Sequence, residues 1–135
     1  MKKINNKGLW ALSKIAMVLY AFVFLTLLFS IYMQYSRLFL FHQIIMETKN
    51  IASIIDLAGS SPYNCTISYV LPDSLTGVDY VVEVKEDAVL IQATYLGEKI
   101  MADEPLLSGP EYGVVFVGGD KMIVEYDGKL EVIVG

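Results

Sequence analysis

Residues 15–36 read IAMVLYAFVFLTLLFSIYMQYS, 22 consecutive positions without formal charge in which only Thr26, Ser30, Gln34 and Ser36 are clearly polar. At 1.5 Å of rise per residue a helix of that length covers about 33 Å, enough to cross the hydrocarbon core of a bilayer. A helix that is apolar on every face must be surrounded. A chain of 135 residues leaves too little other material to bury it, so the stretch reads as a membrane span. Tyr32 and Tyr35 fit interfacial anchoring or helix packing, and Tyr20, deep in the run, fits packing better.

Charge divides the chain around this span. The first 46 residues hold Lys2, Lys3, Lys7, Lys14 and Arg37 and no acid, whereas all 15 acids lie at or beyond Glu47. Residues 1–46 therefore carry +5, and residues 47–135, with five lysines, carry −10. Four of the lysines precede the span, so the positive-inside bias predicts a cytoplasmic N-terminus and an acidic extracytoplasmic remainder. An acidic ectodomain is not a nucleic-acid surface, and none is predicted as a partner. One cysteine and one histidine exclude an intrachain disulfide and a histidine-built metal cluster.

Beyond the span, residues 37–58 contain no Gly or Pro, and the helix is expected to continue outward as a stalk. Phe41, Ile44, Thr48, Ile51, Ile55 and Ala58 form one stripe at spacings of three and four. Two covers suit it: the protein's own sheet, or a helix seam between subunits. Gly59-Ser60-Ser61-Pro62 should end the helix, with Gly59 as a left-handed cap. Strands follow over residues 65–71, 79–85, 88–95, 99–102, 112–117, 121–126 and 129–134, read from runs of Val, Ile, Tyr and Thr between turn signals. Gly118-Gly119-Asp120 and Asp127-Gly128 read as hairpin turns, the latter of the two-residue type I′ form. The expected fold is α+β: a basic leader over 1–8, a transmembrane and stalk helix over 9–58, and a small antiparallel meander over 60–135.

The front of the span reads Lys7-Gly8-Leu9-Trp10-Ala11-Leu12-Ser13-Lys14, a basic leader ending in Lys-Gly and running directly into apolar sequence. This resembles the class III signal peptide of archaeal type IV pilins and pilin-like proteins. The resemblance covers residues 2–14 at the level of motif and the whole chain at the level of architecture. It implies a pilin-like fold, cutting between Gly8 and Leu9 by a membrane-embedded pilin peptidase, and a retained helix that serves as anchor and filament core. Many type IV pilins carry a glutamate at the fifth mature position. Here that position is Ser13, followed by Lys14, which argues against a major, self-polymerising subunit and fits a minor pilin or a pilin-like membrane protein. The other reading of Lys7-Gly8 is a flexible hinge before an uncleaved signal anchor.

Candidate chemistry is sparse. His42 has no nearby cysteine or carboxylate before Glu47 and reads as a stalk residue, and Cys65 as a small buried one. Asp103, Glu104 and Asp120 lack the spacing of a calcium loop, and Gly118-Gly119 lacks the Lys-Ser/Thr of a phosphate loop. No enzyme, metal or cofactor is predicted. Asn64-Cys65-Thr66 satisfies the N-glycosylation acceptor pattern on the predicted outer side. The sequence thus reads as a structural subunit that assembles through its N-terminal helix with other pilin-like subunits, after a life in membrane lipid. The alternatives are a permanently anchored β-sandwich protein similar to archaellum stator components, and a membrane-bound binding module.

Overall fold

A computed structural model of the protein describes residues 6–135. Residues 1–5 of the expected leader, with Lys2 and Lys3, lie outside the described residues. One helix, α1 (Asn6–Gly59), precedes seven strands: β1 (Cys65–Val70), β2 (Tyr80–Val84), β3 (Ala88–Tyr95), β4 (Glu98–Pro105), β5 (Val114–Val117), β6 (Lys121–Tyr126) and β7 (Leu130–Val134). The α+β class is as expected, with a long apolar helix followed by antiparallel strands. The chain divides into two compact units, Met1–Ser36 and Arg37–Gly135, and the division falls at the end of the charge-free run.

In the second unit the strands form two sheets, ordered β1-β6-β7 and β4-β3-β2-β5, with every pairing antiparallel. This corrects the expected meander. β5 pairs with β2, and β6 returns to β1, because residues 117–120 are tied to residues 71–73 and cannot fold back as a hairpin. Leu71 N donates to Asp120 O at 2.9 Å and Gly119 N to Pro72 O at 3.2 Å, while Asp120 Oδ2 accepts from Val117 N at 3.0 Å. A Cβ at Gly118 would stand 2.3 Å from the Asp73 carbonyl oxygen, so only glycine fits this corner between sheets.

Two further local expectations are corrected. Asp127-Gly128 is not a two-residue type I′ turn: Tyr126 pairs with Leu130, leaving three residues, of which only Gly128 has positive φ. The turns in which both central residues have positive φ are Leu96-Gly97, between Tyr95 and Glu98, and Thr76-Gly77, between Leu75 and Val78. Gly59 is helical rather than a left-handed cap; a Cβ there would meet Ser108 Oγ at 2.3 Å, so its use is close approach. The helix closes with Ser60 N on Asp56 O (2.9 Å) and Ser61 N on Ala58 O (3.3 Å), ahead of Pro62.

The core joins the inner faces of both sheets to one face of α1. Val82, Val84, Val89, Ile91, Phe116, Met122 and Val124 are fully buried, and with them Leu40, Ile44, Ile51, Ile55 and Ala58. The helix thus closes a core that two short sheets of this size enclose incompletely.

Candidate functional site

The described residues of the first unit present an exposed helix surface. Its most apolar 18-residue stretch is wholly unburied, and Val18, Phe22, Leu25, Phe29 and Tyr32 each expose more than half of their surface. A helix this long and apolar is a candidate membrane span. It is helical from the first described residue, Asn6, so Lys7, Gly8 and Leu9 are all helical and exposed. No proline interrupts this start, and Gly8 is its weakest former, costing about 1 kcal/mol relative to alanine. Ser13 and Lys14 are also exposed, and Lys14 Nζ lies 5.4 Å from the centroid of the Trp10 ring, a cation–π contact one turn back along the same helix.

In the second unit the stripe is covered by the protein's own sheets. Ile44, Ile51 and Ile55 have no exposed surface, and Thr48, 1% exposed, satisfies its hydroxyl on Ile44 O at 2.6 Å. Phe41 departs from the expectation: it is 41% exposed, and Leu40, at 1%, takes its place in the core. One residue of shift turns a helical position by about 100°, which moves the Phe ring off the packed face.

Polar contacts pin the same helix along its length. Arg37 pairs with Glu98 on β4, Thr76 Oγ1 donates to Gln43 Oε1 at 2.6 Å, Tyr69 Oη to Glu47 Oε1 at 2.7 Å, and Leu107 N to Asp56 Oδ1 at 3.0 Å. Glu47 is 7% exposed and was not foreseen as a buried carboxylate. Its place on the apolar face, three residues from Ile44 and four from Ile51, is visible in the sequence, but its partner Tyr69 is not. Burial, then the hydrogen bond and charge of Glu47, push the Tyr69 phenol well above its ordinary range. Tyr80, which donates to Pro72 O at 2.5 Å, is raised by burial first and then by Glu47 and its other acidic neighbours.

The sign of the resulting pH dependence follows. Up to about pH 9 both phenols stay protonated in the folded and unfolded chain, and neither makes stability depend on pH. Above that the unfolded chain releases protons the folded domain retains, so stability falls, by up to about 1.4 kcal/mol per pH unit for the fully buried Tyr80. Urea titrations between pH 8 and 11.5 should show this decline. Tyr80→Phe should make it shallower, leaving the share due to Tyr69, at a cost near neutrality of about 0.5–1.5 kcal/mol for the lost hydrogen bond.

Other expected positions are placed apart from these. His42 is exposed on α1; Cys65 is a half-buried free thiol whose Sγ lies 3.7 Å from Ala58 O. Asn64 and Thr66 are exposed at the start of β1. A concavity of about 810 Å³ on the outer face of the four-stranded sheet is lined by Asp79, Glu83, Gln92, Lys99 and valines. Among the described residues no group of three His, Cys, Asp or Glu side chains could hold a metal ion. The molecule is therefore defined by a candidate membrane helix and an antiparallel β-domain that shares its helix. No family profile, curated protein or solved structure matches the chain.

Proposed function

We propose that the protein is a structural subunit, minor rather than self-polymerising, of an archaeal type IV pilus-like filament or its envelope complex. It is a single-pass protein with its N-terminus in the cytoplasm and its β-domain outside the membrane. The observation that carries this reading is the division of labour along α1. Residues from Leu9 to Tyr32 leave their apolar surface uncovered, while Ile44, Ile51 and Ile55 are consumed by the protein's own core. Assembly then falls to the uncovered residues, first against lipid and later against neighbouring helices, with Phe41 still available to it and Ile44, Ile51 and Ile55 already occupied.

Lys14 supplies the test. Held among helices it needs a partner, because a buried charge left alone costs about 3–5 kcal/mol, and its Trp10 contact offsets only part of that. A subunit carrying the glutamate that Ser13 replaces would supply the carboxylate. Lys14→Leu should leave membrane insertion intact and deplete the protein from sheared filaments, with Lys14→Arg milder. Mass spectrometry of sheared filaments reads the result; wild-type protein confined to the membrane fraction would end the subunit reading. Ser13 is equally compatible with the second reading, a permanent anchor similar to archaellum stator components, which needs no processing at Gly8.

A further inference from the structure

We propose that Asn64 is an N-glycosylation site and that its oligosaccharide guards β1 against edge-to-edge pairing. The inference rests on the extracytoplasmic placement of the β-domain. The acceptor triplet Asn64-Cys65-Thr66 straddles the entry to β1: Asn64 stands one residue ahead of the first ladder pair, Cys65 with Tyr126. Backbone alternation turns Cys65 inward, its Sγ towards Ala58 O, and leaves Asn64 and Thr66 exposed on either side of it. The amide and the hydroxyl that acceptor chemistry requires are thus both presented outward. Beside them lies a groove of about 340 Å³ lined by Asn64, Thr66, Glu125, Tyr126 and Asp127, whose carboxylates and phenol can accept hydrogen bonds from sugar hydroxyls.

The need for a guard comes from the sheet. β1 ends the order β1-β6-β7, so it has a strand neighbour on one side only. Edge strands are usually blunted by charge or shortness. β4 carries Glu98, Lys99, Asp103 and Glu104, and β5 is only four residues long. β1 has six residues, Cys-Thr-Ile-Ser-Tyr-Val, without a charge, and ends in Val70 at 64% exposure. A hydrated oligosaccharide at its first corner supplies what the sequence of the strand lacks.

In the transfer, the Asn64 Nδ2–C1 bond of the first sugar forms as the bond from C1 to a lipid-linked pyrophosphate breaks. The amide loses one proton and the lipid pyrophosphate leaves as the free acid or its anion, with no change of oxidation state. The donor class is a lipid-pyrophosphate oligosaccharide.

The test is intact-mass measurement of the full chain from native membranes, with protease treatment of spheroplasts in parallel. The wild-type chain should be heavier by one oligosaccharide. Asn64→Gln and Thr66→Ala should each remove the same mass, and Thr66→Ser should keep it. Asn64→Gln should also raise the oligomeric fraction in detergent several-fold. An unmodified Asn64 peptide at full abundance, with the domain digested from outside, overturns the glycan alone. A domain protected from outside protease overturns the topology beneath it. A glycan whose removal leaves the protein monodisperse overturns the guarding role.

Discussion

Ile51→Ala should remove about 2–5 kcal/mol from the stability of the β-domain, a large share of the roughly 5–15 kcal/mol that domains possess. Ile51 has no exposed surface and stands mid-way along the helix face that closes the core, so truncation opens a cavity between helix and sheets. Ile51→Asp goes further, since an unpaired carboxylate there has no neighbour arranged to hold it, and the domain should not fold. Leu57→Ala is the control: Leu57 is 65% exposed on the same helix and should stay within about 0.5 kcal/mol of wild type. The full chain in detergent is the right sample. The single tryptophan, Trp10, belongs to the first unit, so its fluorescence does not follow the domain. Near-ultraviolet dichroism of the six tyrosines beyond Ser36, or pulse proteolysis, does. Equal midpoints for Ile51→Ala and Leu57→Ala would refute the helix as part of the core.

The second large effect is all or none. In cells with an active pilin peptidase the native protein should begin at Leu9, and Gly8→Leu should leave only the precursor. The bond between Gly8 and Leu9 lies within helical residues of α1, so the helix must unwind locally before a protease can engage it. Glycine makes that unwinding cheap, and leucine both stiffens the helix and crowds the bond. N-terminal peptide mapping distinguishes the two products. A native chain retaining Lys7-Gly8 would favour the permanent anchor.

What could be read from the sequence was whatever depended on neighbours a few residues away. The span shows as an uninterrupted apolar run, and β3 and β6 have the expected bounds because alternation and flanking turn residues mark both ends. Pairing was hidden. Nothing in Gly118-Gly119-Asp120 reveals that its partners are Pro72 and Asp73, some 45 residues earlier, and with them the corner that breaks the meander. Leu96 was hidden for another reason. A leucine at positive φ is unfavourable in isolation, and it is held there by eight paired residues on each side of the turn. At the candidate site, Ile44, Ile51 and Ile55 followed from periodicity. Glu47 did not, because a carboxylate on an apolar face is acceptable only once Tyr69 is known to meet it.

The four polar contacts from Arg37 to Asp56 have a mechanical meaning. They are strung over 19 residues of α1, about 28 Å of helix. A pull along that axis would load them in shear, all at once and together with the apolar face between them. Parting helix from sheets in this direction means breaking every contact in a single event, whereas a hairpin tugged from its tip opens one rung at a time. Under tension, then, the domain resists as a rivetted joint does rather than as a zip.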